Sequence, residues 1–185
     1  QADVLDGIRR VDRARMVYLT PREASIDRVE DVLFTDPNVA MSLTFIEPEI
    51  FTYQFGDPRQ LKVTFPGKVP ALNGLPPGSV PDPAWTARYA RTEWTEETLG
   101  KAVEKVASTA YARARRHEVY VSRIGVMRGV DDASAKAYLK ALRGALAREG
   151  LGWAVYDYHT GGAVRGELGT GAATRIVDGL ELLAR

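Results

Sequence analysis

Four short apolar runs, each closed by turn-forming residues, are the strongest pattern along this chain. They lie at residues 16–20, 39–46, 119–127 and 153–158. Their length and their content of β-branched residues are typical of strands. A nearly continuous apolar run, as at 119–127, favours a parallel strand buried on both faces over an alternating surface strand. The sequence therefore predicts four strands, the third of which passes through the core.

Apolar residues at helical spacing precede and separate these strands. The predicted helices cover residues 3–13, 25–34, 95–116 and 131–149, and a last helix lies near the carboxyl terminus. The first helix has an apolar face made of Val4, Leu5, Ile8 and Val11.

The order of these elements, one helix followed by four β-α units, indicates the fold class. Repeated β-α units imply parallel strands joined by right-handed crossovers. The predicted fold is therefore α/β, with four consecutive β-α units resembling the second half of a TIM (β/α)8 barrel.

Residues 49–93 interrupt this regular alternation. The segment is rich in proline and has no sustained periodicity, and a loop of this length in a compact domain is usually functional or disordered. Its aromatic residues, among them Phe51, Tyr53 and Trp85, argue for order, because disordered segments are poor in aromatics. We expect one half-barrel-like domain over residues 1–185, with a long ordered loop at about 49–93.

Arg123 lies inside the third apolar run. Its guanidinium stays charged at every physiological pH. In the middle of a buried strand such a group needs an ion-pair partner or water. The sequence therefore predicts a solvated cavity or a buried ion pair around Arg123, and it points to this position as the centre of function.

Charge balance and residue types exclude several classes of function. The chain has 185 residues, of which 25 are basic and 24 acidic, so no strong field favours nucleic acid or an anionic membrane. The absence of cysteine excludes disulfides and thiol catalysis. Two histidines, His117 and His159, are too few for a convincing zinc site. No apolar run approaches the roughly 20 residues of a membrane span, and no metal or cofactor is predicted.

Three motifs at the predicted strand ends occur in the order found in a known family. The first is Asp36-Pro-Asn-Val39 followed by Glu47-Pro-Glu-Ile-Phe-Thr-Tyr-Gln54, the second is Glu118-Val-Tyr-Val-Ser-Arg-Ile-Gly125, and the third is Gly152-Trp-Ala-Val-Tyr-Asp-Tyr158. They resemble the sixth, seventh and eighth barrel strands of cellulase-type glycoside hydrolases of family 5. The resemblance covers nearly the whole chain and implies a TIM-barrel scaffold of shared ancestry.

The departures from the family pattern fall on its chemical positions. The resemblance implies a nucleophilic Glu on the seventh strand, where this chain has Arg123, and an acid/base Glu on a fourth strand that this chain lacks. A guanidinium has no lone pair to attack an anomeric carbon, and retaining glycosidases need two carboxylates roughly 5–5.5 Å apart. The family's His-aromatic-Tyr positions read Thr44, Phe45 and Ile46, and Tyr156 replaces a sugar-stacking Trp. We therefore predict a retained scaffold without catalytic residues.

The candidate ligand-binding residues share positions at the strand ends or in the long loop. They are Arg123, Glu47, Thr44, Tyr156, Trp85 and Tyr53. We expect Glu47 to orient the loop or to pair with Arg123 rather than to act as an acid. A substitute carboxylate pair of Glu47 and Asp157 is disfavoured, because Asp157 and Tyr156 point to opposite faces of a strand.

Aromatic residues of the long loop have two open interpretations. Trp85, Phe51 and Tyr53 either stack on sugar rings or anchor the loop to the barrel. The glycine-rich stretch at 166–171 is interpreted as a plain loop rather than a phosphate site.

Half a barrel leaves two open strand edges and an inner face that would meet water. A second copy, a complementing N-terminal half-barrel or the 49–93 loop could cover them. We favour closure by a partner, either a second copy or a complementing N-terminal half.

Three functions follow as hypotheses. The first is a non-catalytic domain that binds a saccharide or a protein partner at the carboxyl ends of its strands. The second is the C-terminal half of a β-glucan-cleaving glycosidase, active only with a complementing half. The third is a structural assembly module. The family resemblance also implies an exported protein, and a start at Gln1 fits either a mature product or a fragment.

Overall fold

The computed structural model describes residues 2–21, 36–54, 62–68, 89, 92–114, 118–127 and 129–155. The predicted helix at 25–34, the last helix and the end of the fourth predicted strand lie outside these residues. The same is true of Trp85, Tyr156 and Asp157.

The described residues form four helices and six strands. The helices are α1 (Ala2–Val11), α2 (Glu49–Thr52), α3 (Glu96–Ala114) and α4 (Asp132–Arg148). The strands are β1 (Val17–Leu19), β2 (Val39–Thr44), β3 (Gly67–Lys68), β4 (Glu93–Trp94), β5 (Val119–Ile124) and β6 (Gly152–Val155). A four-stranded sheet has the order β1-β2-β5-β6 with every neighbouring pair parallel, and β3 pairs with β4 antiparallel. This arrangement confirms the predicted α/β class.

One face of the four-stranded sheet packs against α3 and α4. On this face Met41 is in register with Val119, and Leu43 with Val121. These side chains belong to one core cluster with residues of the two helices, including Leu99, Val103, Leu142 and Leu146, which are all fully buried. Because helices cover this face, the sheet has its main hydrophobic core on one side.

The opposite face of the sheet carries small residues on β2 beneath a pair of tyrosines. Tyr18 is in register with Ala40, and Tyr120 with Ser42. The two tyrosine rings meet with their centroids 5.7 Å apart. Since β2 lies between β1 and β5, this contact lies over Ala40 and Ser42, which are 0% and 5% exposed. The middle strand is therefore buried on both faces.

An aromatic cluster joins the loop that follows β2 to α4. Phe51 of α2 packs on Tyr138 with ring centroids 5.1 Å apart, and Phe65 meets Tyr138 edge-on at 5.5 Å. Phe51 is 1% exposed. Of the two interpretations of Phe51, the loop anchor fits this burial, because a ring that is already covered cannot stack on a sugar.

Buried polar groups also tie down the loop. The Gln54 side chain donates to the Phe51 and Val63 carbonyls at 3.0 and 2.8 Å and accepts from the Val63 amide at 3.0 Å. The Phe65 amide donates to Ser134 Oγ at 3.1 Å, next to the amino terminus of α4. That terminus is capped by Asp131, whose carboxylate accepts from the Ser134 amide at 2.9 Å. These hydrogen bonds connect the described parts of the 49–93 segment to one another and to α4.

The apolar face of α1 is divided between exposed and half-buried residues, since Val4 and Val11 are exposed and Leu5 and Ile8 are half-buried. One expectation, about an apolar run, was wrong. The β5 run is not buried on both faces, since Tyr120 and Ser122 are half-buried and Arg123 is exposed. A full barrel would cover this second face, whereas four strands leave it partly open.

No helix in the described part of the chain has the length and apolar character needed to cross a membrane.

Replacement of Gln54 by Leu tests whether the loop belongs to the cooperative fold. The variant leaves the buried Val63 amide and carbonyl without their partner, and each such group costs about 1–3 kcal/mol. We expect the free energy of unfolding, measured in urea, to fall by about 2 kcal/mol or more. Lys62→Leu, at an exposed position of the same loop, is the control. An unchanged unfolding midpoint for Gln54→Leu would contradict the role of this amide.

Candidate functional site

The carboxyl ends of β2 and β5 bring two of the predicted residues together. Thr44 and Arg123 are in register, and the next amide, that of Phe45, donates to the Arg123 carbonyl at 3.0 Å. Parallel strands end at the same edge of a sheet, and barrel proteins keep their functional residues at this edge. We call Thr44, Arg123 and Glu47, with the Tyr89 that contacts Glu47, the strand-end site.

Arg123 is exposed rather than buried as the apolar run predicted. The pairing of β5 with both neighbours shifts register here, between Leu43 and Thr44 on one side and between Val121 and Ile124 on the other. Val121 and Ile124 both stay in the core, at 0% and 2% exposure. An irregularity of this kind places extra residues between two positions whose side chains both face the core. The guanidinium therefore reaches the surface without the desolvation penalty of a buried ion.

Glu47 is held at both its side chain and its backbone. The Tyr89 hydroxyl donates to the Glu47 carboxylate, and the Tyr138 hydroxyl donates to the Glu47 carbonyl at 2.7 Å. The Tyr89 hydroxyl in turn accepts from the Glu49 amide at 3.3 Å. These contacts support the interpretation that Glu47 orients the loop. A pairing of Glu47 with Arg123 stays a prediction.

Tyr138 links the strand-end site to the core. Its ring is fully buried in the aromatic cluster while its hydroxyl reaches the Glu47 backbone. Burial raises the pKa of Tyr138 well above its ordinary value of 10.0, and the nearby charges of Glu47 and Tyr89 raise it further. The neutral hydroxyl is therefore kept as a hydrogen-bond donor over the whole physiological pH range.

Trp94 adds a buried polar group that sequence reasoning did not identify. Its indole Nε1 is buried and lacks a hydrogen-bond partner in the part of the chain that the structure describes. The indole meets the Tyr89 ring edge-on with centroids 5.8 Å apart. Buried indole N–H groups normally have an acceptor.

Two serines form a second polar contact on the face of the sheet that lies opposite α3 and α4. Ser42 Oγ donates to Ser122 Oγ at 2.6 Å, and Ser122 Oγ donates to the Leu43 carbonyl at 3.2 Å. The pairing of β2 with β5 creates this contact, and no local pattern marks it because the two serines are far apart in sequence. Tyr89 and Trp94 were likewise missed, because each acts through partners distant in sequence or through its packing.

Of the remaining candidate residues, Tyr53 follows α2 and is half-buried. The other two, Trp85 and Tyr156, lie outside the described residues. Within the described ranges, no three His, Asp or Glu side chains are placed to hold a metal ion.

The described residues thus define an α/β half-barrel with polar side chains at the carboxyl ends of its strands. No family model matches the sequence, and no curated protein sequence matches it. Solved structures do match. The clostridial cellulose synthase subunit Z from Clostridioides difficile superposes with a TM-score of 0.64 at 16% identity, over 96% of this chain and 53% of that chain.

Cellulases give similar superpositions. Cel5A of Thermotoga maritima, solved with cellobiose, has a TM-score of 0.63 at 14% identity, over 97% of this chain and 52% of that chain. A hyperthermophilic endo-β-1,4-glucanase has a TM-score of 0.59 at 18% identity, over 86% and 45%. The chain thus spans about half the length of the solved structures that it matches. These matches confirm the predicted half-barrel and its likeness to cellulase-type structures.

Replacement of Tyr138 by Phe tests the link between the core and Glu47. The variant removes the donor to the Glu47 carbonyl and should lower the free energy of unfolding by about 1 kcal/mol at neutral pH. The pKa of the Tyr138 hydroxyl is higher in the folded protein than in the unfolded chain. The hydroxyl therefore contributes its full stabilisation below the pKa of the unfolded chain, and this contribution is lost as the pH rises towards the pKa of the folded protein.

The expected result is an extra loss of wild-type stability above about pH 10, which Tyr138→Phe lacks. Urea unfolding across this pH range measures it. Tyr18→Phe, at an exposed position, should behave as wild type. Equal pH dependence in the wild type and in Tyr138→Phe would show that the hydroxyl is not shielded.

Proposed function

We propose that this half-barrel binds a β-linked glucan at the carboxyl ends of its strands without cleaving it. The single observation that carries the proposal is the position of Arg123. It stands at the end of β5, in register with Thr44, where family resemblance implies an attacking carboxylate. A guanidinium donates hydrogen bonds but has no lone pair with which to attack an anomeric carbon.

The strand-end site offers the groups that a sugar needs for recognition. Sugar hydroxyls both donate and accept hydrogen bonds. Arg123 supplies donors, the Thr44 hydroxyl supplies both, and the Glu47 carboxylate held by Tyr89 supplies an acceptor. Few precisely placed polar groups around an aromatic surface are typical of small-ligand sites.

The solved relatives motivate the choice of ligand. The Thermotoga maritima protein was solved with cellobiose, and the hyperthermophilic glucanase was solved with substrate. A scaffold of this shape accommodates β-linked glucose units in those proteins. We therefore choose cello-oligosaccharides as the probe for this chain.

Calorimetric titration of cellotetraose into the wild type and two variants tests the proposal. We expect binding by the wild type, roughly tenfold weaker binding by Arg123→Ala, and partial retention by Arg123→Lys, which keeps the charge but not the fork of donors. Lys105→Ala, at an exposed position on α3, is the control. Equal affinity of Arg123→Ala and wild type would contradict the role of Arg123.

A second function, hydrolysis with a complementing half-barrel, is favoured by one observation. Glu47 is a carboxylate at a strand end whose position is fixed by Tyr89 and Tyr138. Release of reducing sugar, measured on the same samples with and without a first half-barrel, separates the two functions. If the wild type releases reducing sugar and Glu47→Gln does not, hydrolysis would replace the binding proposal. If neither turnover nor binding is detected, the structural assembly module is the hypothesis that remains.

A further inference from the structure

An open groove of about 540 Å³ lies beside the carboxyl end of α1. One wall belongs to α1 and the segment that precedes β1, and the other belongs to the turn that precedes β2. The charged and polar residues that line it are Asp6, Arg9, Arg10, Arg13, Asp36 and Asn38. Since β1 and β2 are parallel, the groove lies at the amino ends of these strands. The six residues of β2, roughly 20 Å of extended chain, separate it from the strand-end site.

The Arg9 guanidinium holds the two walls of this groove together. It pairs with the Asp36 carboxylate and donates to the Asn38 carbonyl at 3.0 Å on one wall. On the other wall it donates to the Asp12 and Arg15 carbonyls at 3.3 and 2.8 Å. These contacts engage most of the donors of the guanidinium. Arg9 therefore has a structural role and little capacity left for a ligand.

The other two arginines of the groove, Arg10 and Arg13, are exposed. Neither side chain has a hydrogen bond or an ion pair within the part of the chain that the structure describes. Asn38 Nδ2 donates to the Arg13 carbonyl at 3.3 Å, which keeps the backbone at position 13 beside the other wall. Two guanidinium groups that lack a carboxylate partner thus line one groove with fixed walls.

A phosphate monoester suits two guanidinium groups better than a carboxylate does. Each guanidinium is a planar fork of donors that matches two oxygens of one anion. A phosphate monoester has three terminal oxygens and a charge of about −1.5 to −2 at pH 7, so it can accept from two forks at once. A carboxylate has two oxygens and a single charge, which one fork already satisfies.

Asp6 opposes an anion in this groove. It is exposed and lines the same surface as Arg10 and Arg13, whereas the other acidic residue, Asp36, is paired with Arg9. Exposed charges are also screened by salt. We therefore expect an affinity of roughly 1 mM, sensitive to ionic strength and to the charge at position 6.

We infer that Arg10 and Arg13 form a binding site for a phosphate monoester at the amino ends of β1 and β2, between walls that Arg9 holds together. The inference does not depend on the proposed glucan binding, which concerns the opposite ends of the strands, so either can fail without the other.

NMR of the arginine Nε–H groups, with inorganic phosphate and glycerol 3-phosphate as probes, tests the inference. The signals of Arg10 and Arg13, assigned by their loss in Arg10→Lys and Arg13→Lys, should shift until the site is saturated. The signal of Arg9, whose Nε–H is bound to Asp36, should stay in place. Acetate at the same concentration should shift the signals of Arg10 and Arg13 much less.

Three variants sharpen the test, with the Asn38 side-chain amide signal as the common readout. Arg10→Ala combined with Arg13→Ala should weaken phosphate binding at least roughly tenfold. Asp6→Asn should strengthen it roughly threefold, because a like charge is removed. Lys105→Ala combined with Lys140→Ala removes the same charge at exposed positions of α3 and α4, and this control should bind as the wild type does.

Vesicles of phosphatidylcholine and phosphatidic acid identify the source of the phosphate group. Sedimentation with these vesicles that the double arginine variant lacks would assign the group to a lipid surface, and binding of glycerol 3-phosphate alone would assign it to a soluble ester. The absence of saturable shifts would overturn the inference. So would equal affinity of the double arginine variant and the wild type, or equal affinity for acetate and phosphate.

Discussion

The burial of β2 between two parallel neighbours is the constraint on which the rest of this structure depends. Its residues from Val39 to Leu43 are all 5% exposed or less. Helices cover one face of the strand, and the Tyr18–Tyr120 contact covers the other. Apolar area removed from water on both faces contributes about 25 cal/mol per Å². The strand thereby fixes the register of β1 and β5, and so the position of Thr44 opposite Arg123.

The same register explains why the functional candidates lie where they do. Once Leu43 and Val121 are paired in the core, the extra residue in β5 has to leave the regular ladder before Ile124 returns to the core. This irregularity directs a permanent charge to the surface at the strand end. Beyond the end of β2, the Tyr138 side chain reaches from α4 to the Glu47 backbone and joins the loop to the same core. Site and scaffold are therefore connected through a few buried contacts.

Much of the architecture could be predicted from local patterns. The apolar run at β2 and the helical spacing in α3 and α4 each depend on neighbouring residues, and all three elements were predicted close to their observed bounds. The exposure of Arg123 could not be predicted, because a strand irregularity arises from pairing with other strands. The Tyr89–Glu47 contact joins residues far apart in sequence, and no local signal marks it. The outward position of Val4 and Val11 depends on which neighbours are present, and an apolar stripe does not specify them.

Amide hydrogen exchange measured by mass spectrometry tests the central place of β2 most directly. Peptides covering β2 should exchange slowest, those covering β5 nearly as slowly, and those covering the outer strand β1 much faster, since opening of a central parallel strand requires loss of the whole core. Exchange of β2 as fast as that of β1 would contradict a sheet organised around this strand.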